Sequence, residues 1–480
     1  MNRTAKNTAV YFAGTVVMGV FGFINTMLLT RVLDEQVYAM YGLLHNFVTA
    51  VTMFICLGYD TAYTRFYYQH NQTHKHFLMK VMVVPSVLFV MLAVALAEPG
   101  QFVIRYIFGE RLSATAVLLL LAYVFFYFAH RFTQLTARME ERAVNYVFSN
   151  FVSRFGFVVF VFVVFLLWRH VSFDWVLISC LLGGALGTLI NVWLLLRLSS
   201  SSNADGSSIT HREMLAYGFP HMLNSVLVLV IPLIEKLIIR DLAGWEILSI
   251  YTAAAVFQTV VLILTNTVYN IWNPMVFKHC DNPQTFKPIL HNFGMVITAI
   301  TTVGFALCVL LRRWLVLILD KNYFDVYIIA PAICFGACFS LVTVIYSSGI
   351  NIVKKTIHQV IEPLIQITIS LAGCFLLIKP LGLVGVGASV LLSIMISRLY
   401  KVIVGLRLYD TGVSEHKMLL LTGVCTVVAF ASLFLTDFIC DAVMFAVLIA
   451  ATILIMNKDI KTVVQTMTTI FLSKKKKEKD

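Results

Sequence analysis

Several ionisable residues fall inside or at the ends of long apolar stretches, where a charge survives only beside a partner or a water-filled cavity. Arg65, Arg131 and Arg154 lie in the first third of the chain, and Lys236 and Arg398 follow further on. A guanidinium offers a planar fork of donors that matches phosphate or carboxylate oxygens in pairs, and an ammonium adds a compact positive charge. Gathered around one cavity, these five cations make a site for an anionic headgroup. Asp60, Glu235 and His45 are the remaining ionisable positions of this kind, and as groups that change charge they are the candidates for coupling to H+ or Na+. Each has a structural reading beside the functional one. Arg65 and Arg154 can snorkel to the membrane surface, Asp60 can pair with Arg65, and Glu235 can neutralise Lys236 or Arg240. Asn25, Asn150, Gln258, Asn266 and Asn270 suit sugar hydroxyls and contacts between helices equally well.

Other chemistries are absent from the pattern. No GxxxxGK sequence followed by Ser or Thr occurs, so this chain is not expected to use ATP directly. His70, His74 and His76 have loose metal-like spacing, but no acidic residue stands beside them in the sequence, and they read as solvated loop histidines. The 9 cysteines mostly sit in apolar runs and read as small core residues. No resident cofactor is expected. Loops 98–112 and 312–325 hold no acidic pair beside a nucleophile, so the chain is not read as an enzyme. The net charge of +12 is spread among loops instead of forming a patch interleaved with exposed aromatics, and no nucleic-acid partner is expected.

The elements that must position these residues are membrane helices. The chain is 60% hydrophobic and only 12% charged, with a mean hydropathy of +0.87, where soluble proteins are about 25% charged. At roughly 20 apolar residues per crossing, fourteen segments emerge. Six precede position 198, at 8–30, 37–60, 77–97, 113–137, 145–167 and 174–197. Six more follow, at 215–239, 247–272, 289–311, 326–349, 357–378 and 382–406. Two close the chain, at 417–436 and 438–457. The first run has no small-residue cleavage site and is expected to stay as a membrane helix.

Between the two sets of six lies a serine-rich stretch, 199–213, too polar to bury itself and expected to be a flexible cytoplasmic linker. The organisation is therefore 1–198, the linker, 214–412, two added helices at 413–457, and a basic tail at 458–480. The Lys and Arg concentrate on the side that holds both termini, which the positive-inside rule makes cytoplasmic. That side ends in the four lysines 474–477, suited to anionic lipid. The outer loops keep a minority, among them Arg105, Arg111, Arg312 and Arg313. Tyr41, Phe47, Thr49, Val51 and Tyr59 repeat at Tyr251, Phe257, Thr259, Val261 and Tyr269. Such an echo fits two six-helix bundles related by a pseudo-two-fold axis along the membrane normal, with the cations of both facing a shared cavity.

Five motifs in order along the chain carry a family resemblance. They are Leu57-Gly58-Tyr59-Asp60-Thr61-Ala62-Tyr63-Thr64-Arg65-Phe66-Tyr67-Tyr68, Tyr217-Gly218-Phe219-Pro220, Ile250-Tyr251-Thr252-Ala253-Ala254, Trp272-Asn273-Pro274 and Leu381-Gly382-Leu383-Val384-Gly385-Val386-Gly387-Ala388. In these the chain resembles the polysaccharide flippases of the multidrug, oligosaccharidyl-lipid and polysaccharide exporter superfamily. It departs from many of them at Glu235-Lys236, where they carry Asp-Arg; the charge order survives, but the bidentate grip does not.

The resemblance implies a flippase of the bacterial cytoplasmic membrane. It would carry a polyprenyl-diphosphate-linked oligosaccharide from the inner to the outer leaflet by alternating access, for export of O-antigen, capsule or a similar glycan. Glycosyltransferases and a glycan polymerase would be its pathway partners. Two other readings stand beside it: a cation-coupled multidrug exporter of the same superfamily, and a membrane-embedded glycan polymerase or transferase.

Overall fold

The computed structural model describes residues 3–69, 73–97, 100–195, 209–279, 282–353, 355, 357–409 and 416–456. The described residues form an all-α protein, as long apolar runs must where lipid leaves backbone groups no partner but one another. The first half runs α1 (Arg3–Val32), α2 (Glu35–Cys56), α3 (Tyr59–Phe66), α4 (His74–Ala97), α5 (Gln101–Phe108), α6 (Ala114–Met139), α7 (Ala143–Trp168) and α8 (Phe173–Leu195). The second runs α9 (His211–Ala254), α10 (Val256–His279), α11 (Pro283–Val316), α12 (Val326–Tyr346), α13 (Ser348–Ile352), α14 (His358–Leu408), α15 (His416–Phe434) and α16 (Phe438–Met456).

Among the described residues, twelve helical stretches are long and apolar enough to cross a membrane, and this is a multi-pass membrane protein. Two of the stretches are double. Gly244 (φ 87°, ψ 179°) interrupts α9, and Gly382 (φ 53°, ψ −125°) interrupts α14. Only glycine enters such backbone angles readily, so each long helix is two rods joined at a glycine. With α10 continuing the second rod of α9, the twelve stretches make fourteen crossings.

Contacts divide the chain into two units, Met1–Asp241 and Leu242–Asp480. The first unit thus takes in the greater part of α9, which the sequence groups with the later helices. Within it α7 packs on α1 and α8, and α6 packs on α8 and α2. In the second unit α12 is central, packed against α10, α11, α14 and α15. It is apolar on every side and buried along most of its length. On α4, by contrast, Val83, Val87, Val90, Met91 and Val94 are exposed, a face for lipid.

Of the expected linker, 199–208 lie outside the described residues, as does the tail 458–480. The linker's last residues are pinned. Lys80 Nζ donates to Ile209 O at 2.6 Å, and Thr210 and Glu213 cap one another: Thr210 N donates to Glu213 Oε2 (2.7 Å) and Glu213 N to Thr210 Oγ1 (3.3 Å).

The loops expected at 98–112 and 312–325 differ from their plain reading. The first contains the short helix α5. In the second, α11 runs on to Val316 and carries Arg312 into full burial. Arg312 donates Nε (3.1 Å) and Nη2 (2.6 Å) to Asp441, and reaches the carbonyls of Ser432 (2.6 Å) and Leu435 (2.5 Å). The arginine therefore ties α11 to the end of α15 and the start of α16.

Candidate functional site

The site begins at a break in the second crossing. After Cys56 the backbone enters the left-handed region at Leu57 (φ 46°) and Gly58 (φ 80°) before α3 starts at Tyr59. Gly58 has no room for a side chain, since a Cβ there would lie 2.1 Å from the Gly218 carbonyl oxygen of α9. The break re-aims the first turn of α3, so Asp60 meets α6. Arg131 donates Nε (2.9 Å) and Nη2 (2.5 Å) to Asp60 Oδ2. Asp60 thus pairs with Arg131, and Arg65, the partner suggested by sequence, is exposed at the end of α3.

A second group of basic residues lies among α2, α7 and α9. His45 on α2 is exposed and within electrostatic reach of both Lys236 and Arg154. Arg154 is also exposed and lies within electrostatic range of the Tyr41 hydroxyl, which Asn25 approaches by a hydrogen bond. Lys236 is only 6% exposed, and its Nζ donates to the Gly42 carbonyl at 3.0 Å. Glu235 is its buried neighbour on α9. Arg240 donates to Asp241 Oδ1 (2.8 and 2.6 Å) and to the Tyr106 and Ile107 carbonyls of α5. Three basic groups and two polar ones therefore converge within the first unit, all held by helices.

The second unit holds its own cluster. Arg398, in the second rod of α14, donates Nη1 to Glu362 Oε1 at 2.5 Å, and Lys401 donates Nζ to Glu362 Oε2 at 2.9 Å. One turn away, His358 Nδ1 and the Tyr400 hydroxyl lie 2.7 Å apart. Sequence reasoning found Arg398 and missed Glu362 and Lys401. Their signal was weak, because Glu362 stands 36 residues from Arg398 and meets it only when α14 folds back at Gly382.

A polar seam in the first unit was also missed. Gln134 Nε2 donates to Ser149 Oγ (3.1 Å) and lies 2.9 Å from His130 Nε2, while Asn150 Nδ2 donates to Gln134 Oε1 (2.6 Å). Asn150 is thereby an interhelical contact. Gln258 is partly exposed, and the side chains of Asn266 and Asn270 lie outside the described residues.

The loop histidines are less isolated than their sequence suggests. His70 lies outside the described residues, but His74 stacks on Tyr67 (4.5 Å between ring centroids) and stands 4.0 Å from Glu140 of α6. Burial and the bond that Tyr67 donates to Glu140 push the Tyr67 phenol up, so it remains a donor. Six of the cysteines are buried and free, and Cys308 and Cys440 are half-buried and free; Cys280 lies outside the described residues.

Fold and site together define a multi-pass membrane protein with the architecture of flippases and multidrug transporters. The chain belongs to the polysaccharide biosynthesis protein family, whose model matches residues 4–280. Among solved structures it is similar to a lipid II flippase, MurJ, in an inward closed conformation, with a TM-score of 0.61, 11% identity and coverage of 95% of this chain and 100% of that one. It is also similar to an inward-facing multidrug resistance MATE family transporter (TM-score 0.60, 12% identity, 84% and 98% coverage). A third is a Vibrio cholerae MATE transporter, VcmN (0.56, 11%, 85% and 97%). No curated protein matches the sequence significantly.

Proposed function

We propose that this protein is a flippase, without an enzymatic step, for a polyprenyl-diphosphate-linked oligosaccharide. It carries the lipid from the inner to the outer leaflet of a bacterial cytoplasmic membrane by alternating access, in the export of an O-antigen or capsule-type glycan. The observation that carries this reading is the convergence of Arg154, His45 and Lys236 inside the apolar helices of a polysaccharide biosynthesis family member. A diphosphate is the group that rewards two fixed cations, Arg154 and Lys236, with a histidine between them at membrane depth. Polar neighbours such as Tyr41 and Asn25 suit the sugar, and a prenyl chain needs no more than lipid beside it. Arg65 and Arg131 add to the headgroup cations of the first unit, and Arg398 is the headgroup cation of the second. With Asp60 held by Arg131, Glu235 and His45 carry the coupling to H+ or Na+. Glycosyltransferases and a polymerase of the same pathway supply and consume the lipid-linked glycan, and both termini face the cytoplasm.

A cation-coupled multidrug exporter is the competing reading, since the MATE fold is shared. Its cargo would call for carboxylates free to bind a cation, whereas Asp60 and Glu362 are each already engaged by basic side chains. The test replaces Arg154 by Ala in a strain that lacks the wild-type protein. Loss of surface glycan of tenfold or more, with single lipid-linked units building up on the inner face and normal amounts of protein in the membrane, is expected (about 1.4 kcal/mol per factor of ten). Full glycan export by Arg154→Ala would overturn the role, and efflux of cationic dyes by the wild type would favour the exporter.

A further inference from the structure

In each unit an arginine of the proposed headgroup site is held by a buried carboxylate. Asp60 holds Arg131, and Glu362 holds both Arg398 and Lys401. The two pairs share a layout. The carboxylate side chains are 6% and 5% exposed, while their arginines are 33% and 25% exposed. The acid is thus the fixed, inner partner, and the cation is the one that can be approached. Nor does the acid exhaust the cation: Arg398 Nε is buried without a hydrogen-bond partner, and Glu362 alone faces two positive groups.

A carrier crosses its cycle twice, once loaded and once empty. A diphosphate neutralises the cations on the loaded crossing. On the empty crossing they would stand unpaired in a medium of low dielectric, where an unpartnered charge is strongly penalised. Each carboxylate has the geometry to take the phosphate's place, presenting oxygens to the same donors that a phosphate would use.

We propose that Glu362 and Asp60 are internal stand-ins for the phosphate, holding the arginines of the empty carrier and yielding them to the arriving headgroup. They are positioning residues, acting on cargo through the cations they hold, and the inference rests on the headgroup reading given above. The groups facing Glu362 are Arg398 and Lys401, with the His358–Tyr400 pair one turn away; Asp60 faces Arg131, with a weak bond from Thr61 (3.4 Å). A carboxylate in this role has a distinctive kinetic mark. Its loss leaves the loaded crossing intact, impedes the empty return, and removes a competitor for the cations. Net transport should fall while exchange of labelled for unlabelled cargo persists, and the apparent affinity for cargo should rise.

The test uses the full-length protein in proteoliposomes, with a polyprenyl diphosphate bearing a single labelled sugar as probe. Glu362→Gln is expected to lower net translocation about tenfold or more, hold exchange within about threefold of wild type, and lower the KM for exchange by a similar factor of ten, the equivalent of one lost ion-pair competitor. Glu362→Asp should restore much of the net rate. Asp60→Asn makes the same test independently in the first unit, so a folding failure of one variant does not end it. Equal loss of net transport and exchange in a folded variant would overturn the proposal, as would unchanged rates of both. A wild-type protein that moves no polyprenyl-diphosphate probe in either assay would instead defeat the flippase reading, and this inference with it.

Discussion

Arg312 shows what a charge inside these helices requires. Its side chain and that of Asp441 are both fully buried, and the guanidinium also donates to the Ser432 and Leu435 carbonyls. Removing one member of such a pair strands the other, at about 3–5 kcal/mol. Arg312→Leu should therefore lower the thermal stability of the detergent-solubilised protein by that order, whereas Arg312→Leu with Asp441→Leu should recover a large part of the loss. A pair that contributed only on the surface would give a small change in both. The same residue marks the limit of sequence reading. An intramembrane charge announces that it has a partner, but the partners here lie 129 residues away for Arg312, 71 for Arg131 and 36 for Arg398. Arg312-Arg313-Trp314 reads as an outer belt, and only the tertiary packing of α11 on α16 makes Arg312 a core residue. The candidate cations were legible one by one, and their acids were not.

At the scale of the element, the chain is shaped by glycines that end or bend helices. The sequence draws one helix over 37–60, because the apolar run continues without interruption; the structure breaks it at Leu57-Gly58, and that break aims Asp60 at Arg131. Gly58 is doubly constrained, by φ +80° and by the Gly218 backbone. Gly58→Ala should cost of order 1–2 kcal/mol from the left-handed backbone alone, and more from the clash. The expected result is a sharp fall in folded protein, measured as recovery of a monodisperse peak after solubilisation. At Gly304, where a Cβ would meet nothing within 4 Å, substitution to Ala should be neutral or mildly stabilising. The breaks at Gly244 and Gly382 were legible, since Asp241 and Pro380-Leu381-Gly382 interrupt the apolar pattern there. The one at Gly58 was not, because no polar residue stands before it.

For the whole molecule, the number of crossings decides which faces of the protein meet which compartment. Twelve apolar stretches, two of them folded back at a glycine, make an even number. An even number puts both termini on one side, and the proposed orientation makes that side cytoplasmic, as the positive-inside rule expects of the side with most of the 36 Lys and Arg. Were either glycine merely a kink in one tilted span, the parity would change, every later loop would invert, and the lysine-rich end would lie outside. Hydropathy alone does not separate these cases, since His211–Thr259 and His358–Leu408 each read as one continuous run. Length does: a 49- or 51-residue helix at 1.5 Å per residue would extend more than 70 Å, against about 30 Å of hydrocarbon, so one crossing cannot use it up. A fluorescent protein that matures only in the cytoplasm, fused after Asp480, should therefore fluoresce, and a phosphatase that works only outside, fused at the same point, should be inactive. Fusions at residue 244 or 382 should show the reverse, because the chain turns at the outer surface there. A bright fluorescent fusion at both 244 and 480 would make the number of crossings between them even, and the count of fourteen would fall.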